Sequence, residues 1–162
     1  MKKILIIFIA MFIFIPKVNA STTTAHSYTL MDMTTGRVLS SKDKDNPMLI
    51  ASITKIMTAI IVIENTDMSN IITVDDSILK AYGSGIYIQL GEEMSVKDML
   101  YGLMLRSGND AAVMLATYIS NSEEEFVKLM NNKAKELGMK NTRFNNSSGL
   151  DEKGGNYSTS YD

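Results

Sequence analysis

Ser52-Ile53-Thr54-Lys55 sets a hydroxyl and an amine three residues apart, and on a helix that spacing puts both on one face within reach of a proton transfer. The pair has the composition of a nucleophile with its own base. A lysine at its ordinary pKa near 10.4 is an acid at neutral pH, so the chemistry requires an amine held in its neutral form. Burial in an apolar helix lowers the pKa, and the partial positive charge at a helix N-terminus both disfavours the ammonium and favours a developing alkoxide on Ser52. Spacing alone is weak evidence: 16 serines and 13 lysines give three Ser-x-x-Lys matches, against about one expected by chance. Ser41 with Lys44 lies in a charged loop and reads as two solvated side chains. Ser77 with Lys80 adjoins Asp75 and Asp76 in a short polar stretch. Ser52 opens an apolar segment, yet on its four residues an N-capping serine and a snorkelling lysine are an equally good reading.

Ser107-Gly108-Asn109 separates these readings. A serine and an amide flanking a glycine can both point from a tight turn into one cleft, because glycine accepts backbone angles that other residues avoid. Alone, the triplet is an ordinary connector between helices; with the first motif it is far more specific.

Other chemistries lack their residues. Cysteine is absent, which removes disulfides, thiol catalysis and thiolate metal sites, and His26 is the single histidine. One histidine near the start of the exported chain supplies neither a zinc site nor the base of a Ser-His-Asp hydrolase. Gly83-Ser84-Gly85 is a turn fragment, not a nucleophile elbow. The net charge of -2 gives no electrostatic case for nucleic acid.

The elements that must position these residues follow from the pattern. Lys2 and Lys3 precede 12 apolar residues, Ile4 to Ile15, followed by Pro16 and Val18-Asn19-Ala20. This reads as a signal peptide over residues 1–20, too short to span a bilayer, with an exported single domain over 21–162. Ser27 to Asp32 alternates with period two and turns through Thr34-Thr35-Gly36 into Arg37 to Ser40, a β-hairpin. Ser52 to Glu64 has little polar face, so a helix there must be buried on most sides; its end, Ile60 to Ile63, reads equally as strand. Ile71 to Val74 and Ile86 to Leu90 read as strands, with a helical turn in Asp75 to Ala81. Ser95 and Asp98 form a capping box for a helix bearing Met99, Leu100, Leu103 and Met104. Further helices are predicted over 110–119 and 122–137, the last closed by Gly138, and the polar tail from Asn141 to Asp162 reads as loop. Strands flanking a helical block indicate a mixed α and β (α+β) fold.

With both motifs placed, the chain resembles the serine-type D-alanyl-D-alanine carboxypeptidases, the low-molecular-weight penicillin-binding proteins of peptidase family S11. The likeness extends from Ala51-Ser52-Ile53-Thr54-Lys55-Ile56-Met57-Thr58 and Arg106-Ser107-Gly108-Asn109-Asp110-Ala111-Ala112 to Asn145–Leu150 and Tyr157–Asp162. The resemblance implies a β-lactamase/transpeptidase-like domain, a helical block beside an antiparallel sheet. It implies that Ser52 attacks the carbonyl between two terminal D-alanines of a peptidoglycan stem peptide and that Lys55 takes its proton. Ser107 would relay a proton to the departing D-alanine, and Asn109 would hold the substrate and steady Lys55. β-Lactams would acylate Ser52 as inhibitors; no metal or organic cofactor is implied, and no nucleic acid. The setting would be the cell envelope, outside the cytoplasmic membrane, with membrane association only through a C-terminal part beyond this sequence.

The family's third motif, Lys-Thr-Gly on a later strand, does not occur here; Lys153-Gly154-Gly155 is the nearest fragment and is misplaced. That strand contributes a donor to the oxyanion hole, worth about 3 kcal/mol in a comparable hydrolase. The chain therefore reads as a partial domain. The alternatives are a non-catalytic exported fragment that binds peptidoglycan or a partner, and a serine β-lactamase, against which asparagine in the second motif argues mildly.

Overall fold

A computed structural model describes residues 23–152 and 154–162. The expected signal peptide, residues 1–20, and Lys153 lie outside them. Met31 and Val38 close the opening hairpin: β1 (Tyr28–Met31) pairs antiparallel with β2 (Val38–Lys42), and the turn is fastened by Asp32, whose carboxylate accepts from the Thr35 backbone N–H and hydroxyl at 2.7 and 2.6 Å. β3 (Met48–Leu49) pairs with β6 (Tyr157–Ser158), and β4 (Ile71–Thr73) with β5 (Glu93–Ser95). The strands are thus three antiparallel two-stranded ladders around a helical block, within the expected mixed class.

The helices are α1 (Thr54–Asn65), α2 (Val96–Leu105), α3 (Asn109–Ser120) and α4 (Glu123–Glu136). The stretch Ile60 to Ile63, readable as strand, continues α1. Small side chains explain the centre of the block: α3 buries every residue from Asn109 to Ala116, three alanines among them, and packs against α1, α2 and α4. Met57, Ile61 and Val62 of α1, Met99 and Leu103 of α2, Leu115 of α3, and Phe126 and Met130 of α4 form one cluster. Each such side chain contributes about 1.5–3 kcal/mol by leaving water. Ser95 caps α2 by accepting the Asp98 N–H at 3.0 Å, as its spacing predicts. Ser122 caps α4, whose first turn is acidic and last turn basic, in line with the helix dipole.

Two expectations change. Ile86 to Leu90 is not a strand: the N–H groups of Ile86, Tyr87 and Ile88 donate to the Asp110 carboxylate instead of a neighbouring chain, and Glu93–Ser95 takes the place beside β4. And the polar tail is not all loop, since Tyr157–Ser158 forms β6 against β3, whereas α1 is buried on most sides as expected, seven of its twelve residues being buried. A narrow stripe of α1 and of the turn before it stays open, where Ile53, Ile56 and Ile63 are 63, 52 and 59 % exposed.

Candidate active site

Ser52 sits in a 3-10 turn, Ala51–Ile53, which runs directly into α1, so Lys55 falls in the first α-helical turn. The turn is strained on both sides of the site. Ala51 has φ 46° and Ser107 φ 56°, left-handed conformations that non-glycine residues adopt at a cost of about 1–3 kcal/mol unless their surroundings hold them. At Ser107 the strain aims the hydroxyl at Ser52, and Ser107 Oγ donates to Ser52 Oγ at 3.0 Å.

Lys55 is 2 % exposed. Its Nζ lies 3.3 Å from Ser52 Oγ, 2.8 Å from Asn109 Oδ1 and 2.6 Å from the Ser148 carbonyl oxygen. Burial pushes its pKa down to about 8. The partners settle where a neutral amine must point. Asn109 Oδ1 and Ser148 O only accept, so they take its two N–H groups, and the remaining position, the lone pair, faces the Ser52 hydroxyl. The amide of Asn109 is oriented by its other end, where Nδ2 donates to Tyr82 O at 2.6 Å.

All four residues singled out in sequence, Ser52, Lys55, Ser107 and Asn109, therefore meet in one hydrogen-bonded group drawn from the 3-10 turn, α1, the α2–α3 connector and α3. The other two Ser-x-x-Lys matches do not: Lys44 pairs with Asp45, and Ser77 Oγ lies against Met114 Sδ at 3.8 Å. His26 is exposed. Gly154 and Gly155 belong to the loop before β6, where Gly155 O accepts from Asn145 Nδ2 and packs against Leu49.

Sequence reasoning missed the walls. Ser148 O is a direct partner of Lys55, yet a backbone carbonyl leaves no mark in residue type. Gly149, with φ +89°, lies so near the turn that carries Ser52 that a Cβ would fall 1.9 Å from Ala51 O. Its one legible signal is a glycine closing the polar run Asn145 to Ser148. Gly83-Ser84-Gly85, read only as a turn, forms the opposite wall: Ser84 O accepts the Asn109 N–H at 2.8 Å, and Gly83 leaves room for the Asn109 amide. Asp110 binds this loop to α3 by accepting the Tyr87 N–H at 2.6 Å.

Chemically, the group can remove a proton from Ser52, hold it on a desolvated amine and pass it on through Ser107. Comparison with known proteins yields the same class. The family model described as D-alanyl-D-alanine carboxypeptidase, Peptidase S11, matches residues 15–162. The chain is 48% identical over 143 residues to the D-alanyl-D-alanine carboxypeptidase DacF of Bacillus subtilis, which covers 85% of this chain and 36% of that protein. Among solved structures, the D-alanyl-D-alanine carboxypeptidase DacD from Francisella tularensis superposes with a TM-score of 0.80 at 36% identity, over 86% of this chain and 35% of that one. Penicillin binding protein 6B from Escherichia coli gives 0.79 at 33% identity, over 90% of this chain and 50% of that one. The chain thus spans between a third and a half of the length of these relatives.

Proposed function

This chain belongs to the D-alanyl-D-alanine carboxypeptidase family of serine peptidases, and from that premise we propose that it carries the nucleophile, base and proton relay of an enzyme that removes the terminal D-alanine from peptidoglycan stem peptides. The observation that carries the reading is the buried Lys55, whose two acceptor-only partners leave its lone pair on Ser52. Lys55 takes the Ser52 proton as Ser52 Oγ bonds to the carbonyl carbon between the two D-alanines. The carbon–nitrogen bond then breaks, and the D-alanine nitrogen leaves with a proton passed from Lys55 through Ser107. Water attacks the resulting ester, giving its proton to Lys55, which passes it to Ser52 Oγ as the ester bond breaks and the shortened peptide leaves. Asn109 orients the amine through Oδ1 and keeps the second N–H of its amide, beyond the one given to Tyr82 O, for the substrate. A β-lactam enters by the same first step and remains on Ser52. Residues 1–20 serve export and residues 21–162 form part of the catalytic domain, acting on the outer side of the cytoplasmic membrane. Among the described residues, no helix is long and apolar enough to cross a membrane.

The test is release of D-alanine from a peptide ending in D-Ala-D-Ala, by this chain and by a longer polypeptide carrying the remaining length of its relatives. Stoichiometric D-alanine release with slow loss of bound penicillin supports the carboxypeptidase. Rapid penicillin turnover without D-alanine release would mean a β-lactamase, and peptidoglycan binding that survives Ser52→Ala, with no release by either form, a binding fragment.

A further inference from the structure

We propose that Glu123 is a positioning residue for Lys55, acting through Ser147 and the Ser148 carbonyl; this rests on the reading of Lys55 as the base. Glu123 opens α4, far from the cleft in sequence, and takes no part in the chemistry above. One of its oxygens, Oε1, accepts both the Ser147 backbone N–H at 2.9 Å and the Ser147 hydroxyl at 2.6 Å. Ser147 O in turn accepts from Thr58 Oγ1, one turn along α1 from Lys55, at 2.7 Å. The next carbonyl, Ser148 O, is the 2.6 Å acceptor of Lys55 Nζ. The peptide that carries it is held from its other edge, where the Gly149 N–H donates to Asn146 Oδ1 at 2.7 Å. Glu123 is thus a charged anchor that fixes residues 147–148 against α1, and the base depends on that segment for one of the two acceptors that orient its lone pair.

An anchor of this kind has a signature that ordinary structural support lacks. When the Ser148 carbonyl drifts away, an amine that stays buried loses an acceptor for its charged form, so the Lys55 titration moves to lower pH while proton abstraction, deprived of its orientation, slows. Among the described residues, no charged side chain bonds to Lys55. Asp110, beside Asn109 on α3, spends its carboxylate on the N–H groups of Ile86, Tyr87, Ile88 and Ala111; Lys97 and Asp98 on α2, Glu124 and Glu125 on α4, and Glu152 after the 147–148 segment are exposed.

The experiment follows Lys55 by NMR in the whole chain with labelled lysine, its signal assigned by loss in Lys55→Arg, alongside the acylation rate with a fluorescent penicillin. Glu123→Ala is expected to lower the Lys55 midpoint by about 0.5 pH unit or more and to slow acylation about tenfold, since misplacement of a reacting group by an ångström costs up to about a hundredfold. Glu123→Gln keeps an Oε1 that accepts both Ser147 donors and is expected to behave as wild type. Ser147→Ala, which removes only the hydroxyl, gives a smaller change in the same direction and decides the matter if Glu123→Ala does not fold. An unmoved midpoint in the folded variants would overturn the proposal, and so would a shift in Glu123→Gln as large as in Glu123→Ala, which would mean bare charge and not position. Absence of acylation in the wild type would remove the enzymatic reading while the titration still decides the role of Glu123.

Discussion

Gly149→Ala tests the close fit between the 147–149 segment and the nucleophile turn. The added Cβ would fall 1.9 Å from Ala51 O, 2.4 Å from Ala51 C and 3.0 Å from Ser52 N. Those atoms are backbone and cannot swing aside. Relief to an ordinary 3.4 Å contact requires about 1.5 Å of separation between the two segments. Along the 2.6 Å bond from Lys55 to Ser148 O, that movement reaches about 4.1 Å, beyond hydrogen-bond range. A lost hydrogen bond to a charged group costs about 1.5–3 kcal/mol, and alanine at φ +89° about 1–3 more, so the expected destabilisation is about 2.5–6 kcal/mol. The denaturant midpoint measures it. Acylation by penicillin, followed by stopped flow on the folded fraction, is expected to fall about a hundredfold through misplacement of Ser52 and Lys55. A variant that keeps wild-type stability within about 1 kcal/mol and acylates at the wild-type rate would mean that the two segments are not held in this close fit.

With Lys55 at about 8, acylation should rise with pH to a plateau above it, running at pH 7 near a tenth of the plateau rate, as rate-against-pH measurements on Ser52 would show. Because burial depresses the folded-state value below the ordinary 10.5, the unfolded chain binds the extra proton between about 8 and 10.5; the Lys55 contribution therefore costs stability below pH 8 and is recovered, by about 3 kcal/mol, as pH rises through that window, measurable by urea denaturation across it. Asp110→Ala strips the acceptor from the Ile86, Tyr87 and Ile88 N–H groups and should cost about 2–4 kcal/mol in the denaturant midpoint, with increased hydrogen exchange confined first to residues 82–88. Ser107→Ala leaves the Ser52–Lys55 pair intact but removes the relay, so D-alanine release should slow about a hundredfold while the Lys55 titration stays in place.

Local pattern carried much of the architecture. The hairpin was legible in period-two alternation around Thr34-Thr35-Gly36, and α2 in the Ser95–Asp98 box, because caps and turns are made by neighbours in sequence. That Ser52, Lys55, Ser107 and Asn109 would meet was legible for another reason: two motifs together are far more specific than either alone. What escaped the sequence lies in partners far along the chain. Ile86 to Leu90 has strand-like residues, but its N–H groups are claimed by Asp110, 22 to 24 positions away, and Tyr87 adopts φ 60°, which breaks a ladder. β3 and β6 are two-residue strands whose pairing spans more than a hundred positions, beyond any periodicity. The Ser148 carbonyl is invisible for a simpler reason, since every residue has one and only the fold decides which meets Lys55.

If Ser52 is a nucleophile activated by Lys55, a β-lactam must bond to it covalently. Intact-mass analysis after incubation with benzylpenicillin tests it most directly, on this chain and on the longer polypeptide. One added penicilloyl group is expected, mapped by peptide digestion to Ser52, absent in Ser52→Ala and formed far more slowly in Lys55→Met. An adduct of the same stoichiometry in Ser52→Ala, or one mapped to Ser107 in the wild type, would contradict it.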